Sequence, residues 1–257
     1  MNPQLILWNA TALVVYMTIC YAVAYRRKRL DTVDAAWGGG FVVAAWLVAG
    51  YEPQLSTVLI AILVDIWAIR LTSHILARSA KRTDDDPRYT ELARKWGKSN
   101  YWLRAYMSIF LLQGLLVLIV SLPTVFAAAE PIKYSNPIII AGLTIWGIGF
   151  VVEAIGDRQL KQFISIKTNK GKVLDTGLWR YTRHPNYLGE IIQWYGIGVI
   201  ACSASFGWIG LIGPIVLNVL IRFVSGVPPI EKRKKNDPSY AAYMKKTNAL
   251  LPRFRAN

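Results

Sequence analysis

Gly177-Leu178-Trp179-Arg180-Tyr181-Thr182-Arg183-His184-Pro185-Asn186-Tyr187-Leu188-Gly189-Glu190 is a basic, polar loop that passes without a break into an apolar segment carrying Ile191, Ile192, Trp194, Tyr195, Ile197, Val199 and Ile200. Pro185 suits the first helical position, where its missing N–H would be unpaired anyway and its φ is already helical, so a helix is predicted to start at His184/Pro185. Such a start aims free backbone N–H groups and the positive end of the helix dipole at Arg180 and Arg183, a seat for an anion such as a pyrophosphate. Asn186 and Glu190, four apart, share one face of the first turns, with Tyr187 beside them. Basic residues flanking an apolar helix are also ordinary topology signals. Topology needs only the charge, however, and this loop adds His, Asn, Tyr and Glu.

Working outward, the 257-residue chain is 54% hydrophobic and its mean hydropathy is +0.31, which argues for a polytopic membrane protein rather than a soluble fold. The net charge of +15 would suggest nucleic acid in a soluble chain. Here the basic residues sit between long apolar runs, where the positive-inside rule accounts for them, so no nucleic-acid partner is expected. Cys20 and Cys202 lie in apolar segments without metal-ligand spacing, so neither a disulfide framework nor a metal site is expected.

Apolar runs long enough to span a bilayer cover about residues 5–25, 33–49, 55–77, 102–126, 137–156 and 208–224, with a further span starting at Pro185. The first is followed by Arg26-Arg27-Lys28-Arg29 and reads as a retained helix, because it has no basic n-region. The short link at residues 50–53 makes the second and third spans a helical hairpin. Asp86-Pro87 and Asp237-Pro238 are cap-then-proline signals for two short helices, and Asp84-Asp85-Asp86 reads as a solvated cap. Gly226-Val227-Pro228-Pro229 is expected to stop the last span. The expected fold is thus all-α, a single polytopic domain with about seven transmembrane helices, N-out and C-in. Loops 78–101 and 157–184 and the tail from 231 are then cytoplasmic, and Lys133 lies outside. Residues 1–101 form the expected substrate side, and residues 102–257 hold the expected ligand region around 175–190 and the tail.

On this map Asp34, Arg70, His74, Glu153, Asp157, Glu190 and Arg222 all fall in the cytoplasmic half of their spans, with Asp65, Gln113 and Gln193 deeper. Ionisable groups in a bilayer are costly and usually line a cavity or pair with one another. Local ion pairs would explain any one of them; their placement on one side points to a polar pocket tapering into the membrane. An anion seat on the cytosol above such a pocket suits a soluble phosphate-bearing cofactor meeting a lipid-soluble substrate. A Gly-x-Gly-x-x-Gly fingerprint, a P-loop and a His-Glu-x-x-His pair are missing from the sequence, and no Ser or Cys nucleophile with a His base is indicated.

The run from Asp175 to Glu190, with Val224-Ser225-Gly226-Val227-Pro228, the ending from Tyr243 to Pro252, Asp31-Thr32-Val33-Asp34-Ala35-Ala36-Trp37-Gly38, and Glu153 with Asp157-Arg158-Gln159-Leu160, resembles the bacterial branch of the steroid 5-alpha-reductase family, also described as DUF1295. Its last third is similar to steroid 5-alpha-reductases and sterol C14-reductases, which bind NADPH here, and to isoprenylcysteine carboxyl methyltransferases, which bind S-adenosylmethionine. An acid after Gly189 is typical of the reductases, so Glu190 favours that side.

The resemblance implies that Arg180, Tyr181, Arg183, His184, Asn186, Tyr187 and Glu190 contact NADPH, with Glu153, Asp157, Arg158, Lys161, Tyr243 and Lys246 as further candidates. It implies hydride transfer to the β-carbon of a conjugated enone-like lipid while a polar side chain polarises the carbonyl. The candidates for that role are Asp34, Arg70 and His74. Asp34 would need a pKa raised by desolvation to donate a hydrogen bond; capping its helix or pairing with Arg70 are the alternatives. An S-adenosylmethionine-dependent methyltransferase and a non-catalytic lipid-binding or transport protein are the rival classes. The expected setting is a bacterial inner membrane, with the site open to the cytoplasm, membrane lipids as neighbours and the oligomeric state unassigned.

Overall fold

A computed structural model describes residues 3–79, 85–97, 99–129 and 136–254. Its regular structure is helical, apart from one parallel bridge between Thr182 and Asn248. The helices in chain order are α1 (Pro3–Arg27), α2 (Thr32–Tyr51), α3 (Leu55–Ser79), α4 (Pro87–Trp96), α5 (Tyr101–Ala105), α6 (Leu112–Val120) and α7 (Leu122–Phe126). They are followed by α8 (Pro137–Ser165), α9 (Pro185–Ala201), α10 (Ile212–Val219), α11 (Val227–Lys234) and α12 (Pro238–Lys246). A π-helical stretch, Tyr106–Leu111, joins α5 to α6, and another, Leu220–Val224, follows α10.

Among the described residues, six helical stretches are long and apolar enough to cross a membrane: Pro3–Arg27, Thr32–Tyr51, Leu55–Ala77, Tyr101–Val120, Pro137–Ser165 and Gly207–Lys234. The all-α, polytopic membrane character is therefore as expected. The expected span beginning at Pro185 does start there, but α9 has 17 residues, about 25 Å at helical rise and shorter than a typical hydrocarbon core. Leu7, Ile69 and Phe223 stand outward and exposed, as lipid-facing side chains do.

Three boundaries differ from expectation. The fourth span turns at Ser121 rather than continuing to 126, because Pro123 opens a new short helix. The fifth continues to Ser165, well past Gly156. Pro228 and Pro229 do not stop the last stretch; the chain bends at Ser225–Gly226 and the prolines occupy the first turn of α11, where no N–H is lost. Lys133 and Asp84 lie outside the described residues. Asp85 and Asp86 bind protein groups rather than forming a solvated cap: Asp85, half-buried, accepts hydrogen bonds from the backbone N–H groups of Leu30 (2.8 Å) and Asp31 (2.9 Å), and the buried Asp86 caps α4 through Arg88 N.

The chain divides into two compact units. One comprises Met1–Asn136 and Ala201–Ile212, the other Pro137–Ile200 and Gly213–Asn257. In the first, α2 and α3 pack as the expected hairpin. Its Gly38-Gly39-Gly40 run is where neighbours press in: a Cβ on Gly38 would meet Thr72 Oγ1 of α3 at 2.7 Å, and one on Gly40 would touch Met17 of α1 and Val117 of α6 at 3.4 Å. Asp65, expected deep in the membrane, accepts a hydrogen bond from Trp46 Nε1 at 2.8 Å.

In the second unit, α8 and α9 are antiparallel and touch backbone to backbone. A Cβ on Gly142 would stand 2.8 Å from Gly196 O, one on Gly149 2.7 Å from Gly189 O, and one on Gly156 3.1 Å from Asn186 N. Glycines at 142, 149 and 156 face glycines at 189 and 196, so the contact persists over two heptads of α8. Close approach through small residues is the usual way helices associate in lipid, where no hydrophobic driving force is available.

Gly189→Ala places a methyl 2.5 Å from Glu153 N and is expected to destabilise the protein by about 1–3 kcal/mol. Gly147→Ala, with nothing within 4 Å of the new methyl, should be neutral or stabilising by up to about 1 kcal/mol. Thermal unfolding of both variants in detergent checks the pair; equal effects would show that the close contact is not limiting.

Candidate functional site

The loop from Gly177 to His184 is built by its neighbours in the second unit. Gly177 has φ +59°, a left-handed conformation that glycine adopts without cost, and it opens the 3₁₀ turn Gly177–Arg180. Leu178 N donates to Gln159 Oε1 of α8 at 3.0 Å, and Trp179 Nε1 donates to Gly156 O at 3.2 Å. The tail runs beside the loop: Arg183 N donates to Asn248 O, His184 N to Ala249 O and Arg253 N to Tyr181 O. Thr182 Oγ1 donates to Ala249 O at 2.9 Å, and the Tyr243 hydroxyl donates to Trp179 O.

Glu231 on α11, which carries no local sequence signal, organises the charges. Arg183 Nε and Nη2 donate to Glu231 Oε1 at 2.9 and 2.6 Å, and Arg183 Nη1 donates to Thr247 O. His184 Nε2 lies 3.3 Å from the same oxygen, and the His184 ring stacks on Tyr187. The buried guanidinium of Arg183, a residue expected to face an anionic ligand, is held by Glu231 and the tail. Burial pushes the His184 pKa down to about 4, with Arg183 adding to the effect and the Glu231 hydrogen bond opposing it. Burial, then the Glu231 charge, raises the Tyr240 hydroxyl.

Beneath the loop lies a buried polar layer on the α8–α9 contact. Glu153 and Glu190 are 3% and 9% exposed, and Gln193 is fully buried. Gln193 Nε2 donates to Glu153 Oε2 at 2.5 Å and to Gly189 O at 3.3 Å, leaving Gln193 Oε1 without a partner among the described residues. Asn186, Tyr187 and Asp157 are half-buried at the same end, while Arg158, Lys161, Arg180 and Lys246 are exposed. Tyr243 and Lys246 line a cavity of about 350 Å³ with Lys172, Asp175 and Ser239. A second cavity, about 570 Å³, shares Lys172 and adds Lys167, Lys170 and Lys234 over an apolar wall that includes Phe163 and Trp179. Cationic capacity for a polyanion is thus concentrated on lysines of the 167–172 segment and the tail, more than on Arg183.

In the first unit, Asp34 accepts from Tyr89 Oη at 2.8 Å and from Arg88 Nη2 at 2.5 Å. Its ion pair is therefore with Arg88 of α4 rather than with the expected Arg70. Burial alone would lower the Arg88 pKa, but the Asp34 and Asp86 carboxylates hold it above its ordinary value. Burial and the Asp34 charge raise the Tyr89 hydroxyl. Arg70 is half-buried and His74 is exposed. Among the described residues no three His, Cys, Asp or Glu side chains gather to hold a metal.

Glu231→Ala leaves a buried Arg183 without its carboxylate and is expected to cost about 3–5 kcal/mol. The folded His184 titrates near 4 and its unfolded counterpart near 6.5. As pH falls from about 6.5 to 4, the unfolded state gains a proton that the folded state does not, and stability drops by about 3 kcal/mol. His184→Gln should flatten that part of a melting-temperature profile; an unchanged slope would assign it to other groups.

The family profile described as "Protein of unknown function (DUF1295)" matches residues 20–247. An uncharacterised protein of Schizosaccharomyces pombe is 26% identical, over 76% of this chain and 63% of that protein. A probable O-methyltransferase of Ustilaginoidea virens is 32% identical over 73 residues, 28% of this chain and 26% of that protein. The chain thus spans less than two thirds of the length of either relative. No solved structure matches it. Because the matched region 20–247 takes in the hairpin, the glycine contact, the basic loop and Glu231, the chain belongs to the DUF1295 family.

Proposed function

We propose that this chain is a membrane-embedded, NADPH-dependent reductase of a carbon–carbon double bond conjugated to a carbonyl in a lipid. Glu190 carries the reading: an acid buried one turn into α9, directly after the Gly189 that packs on α8, stands where the reductases of the resembled family carry theirs. The donor set suits the cofactor. Lys172 and Lys246 supply cations for its phosphates, Glu190 supplies an acceptor for ribose or carboxamide hydrogens, and Gln193 Oε1 is a buried acceptor with no donor among the described residues. When bound, NADPH supplies the hydride. Asp34 acts as a positioning residue, holding the Arg88 guanidinium and Tyr89 hydroxyl, with Arg70 and His74 as further candidates for polarising the carbonyl. The buried, neutral His184 and the Arg183–Glu231 pair hold the loop and do not take part in proton transfer.

A second reading, an S-adenosylmethionine-dependent methyltransferase, is favoured by the 73-residue likeness to a probable O-methyltransferase. Titrating NADPH and S-adenosylmethionine separately against the purified protein separates the two, since a ligand that binds only the folded state raises the melting temperature. The expected result is stabilisation by NADPH that is lost in Glu190→Gln and Lys246→Glu, followed by NADPH oxidation with enone lipids. Stabilisation by S-adenosylmethionine alone would replace the reductase with the methyltransferase.

A further inference from the structure

The second unit contains another cavity, of about 630 Å³, on the far side of α9 from Asn186 and Glu190. Successive residues are rotated by about 100°, so Leu188, Ile191, Ile192 and Tyr195 face this cavity while Asn186, Glu190 and Gln193 lie on roughly the opposite face. Leu250 and Leu251 of the tail complete the apolar wall. No acidic residue is among the lining side chains.

Asn248 of the tail lines this cavity, as do three further polar side chains, Arg222, Asn218 and Tyr195. Among the described residues none of these three has a hydrogen-bond or ion-pair partner, and the Arg222 guanidinium meets only its neighbour's ring, Phe223, at 5.4 Å. Arg183 also borders the space, but its guanidinium is held by Glu231. Arg222 belongs to the apolar stretch Gly207–Lys234 and sits within the π-helical turn Leu220–Val224. An arginine in a membrane helix normally pairs or lines a functional cavity, and π turns inside helices recur at functional sites.

We infer that this cavity binds an anionic single-chain amphiphile, its head group paired with Arg222 and hydrogen-bonded by Asn218 and Tyr195, and its chain laid along Leu188, Ile191, Ile192, Leu250 and Leu251. The cation, amide and phenol supply donors to one anionic head, and the aliphatic wall suits a hydrocarbon. The volume lies within the usual range for a ligand of that size. The inference does not depend on the nucleotide reading, because the cavity and Glu190 occupy different faces of α9. A carboxylate and a phosphodiester share the required chemistry, so both head groups are tested.

Purified protein in a neutral detergent is titrated with oleate, with oleoyl lysophosphatidylglycerol and with oleyl alcohol, reading stoichiometric binding by native mass spectrometry and the melting temperature. Saturable binding of one or both anions, but not of the alcohol, is expected. Which anion binds identifies a fatty acid or a phospholipid as the source. Arg222→Gln should weaken that binding by about 10-fold or more, as loss of a charge-assisted contact does, and Arg222→Lys should recover part of it. Ile192→Trp, which keeps the charge and fills the apolar wall, should also abolish binding. Equal binding of alcohol and anions, no binding of either anion, or unchanged affinity in Arg222→Gln or Ile192→Trp overturns the inference. None of these readouts involves NADPH, so its failure and that of the reductase reading are separable.

Discussion

The backbone contact between α8 and α9 is the constraint on which the candidate site depends. Two helices in lipid gain little from burying leucine against leucine, since the lipid tails are equally apolar. Glycines at 142, 149 and 156 against 189 and 196 remove the side chains that would hold the axes apart. Close approach then sets Glu153 beside Gly189 and brings Gln193 within reach of Glu153. It also places the first turn of α9 against Gly156, whose carbonyl accepts from Trp179 and so anchors the loop.

Above that contact, buried charge determines the conformation of the loop and tail. Arg183 is 8% exposed, a position tenable only because Glu231 and two tail carbonyls absorb its charge and donors. His184 meets the same carboxylate and remains neutral over the physiological range. One acid therefore holds α11, the loop before α9 and the tail together. The first unit uses carboxylates in the same way: Asp34 and Asp86 bind Arg88, and Asp85 fixes the chain entering α2.

Much of this was legible in the sequence. The apolar runs, the hairpin between α2 and α3, the caps at Asp86 and Asp237 and the start of α9 at Pro185 all follow from local chemistry. The glycine contact left a readable trace, a seven-residue spacing on both helices, whose meaning depends on knowing which helices meet. Glu231 left none: it stands in a basic, prolyl segment that looks like a tail. Arg183 and Arg180 looked alike in the motif, yet one is buried in an ion pair and the other exposed.

By itself the sequence determined the all-helical membrane architecture, the basic loop at the head of α9 and the presence of ionisable groups within apolar stretches, because helix starts, caps and hydrocarbon-spanning lengths depend on residues near one another in the chain. Only the tertiary structure decided how those groups are used. It paired Asp34 with Arg88 rather than Arg70 and Arg183 with Glu231, and set Arg222 beside a cavity with no hydrogen-bond or ion-pair partner among the described residues. Pairing of charges across tens of residues is set by which helices approach closely, and that approach rests on glycines distant in sequence from the groups they bring together.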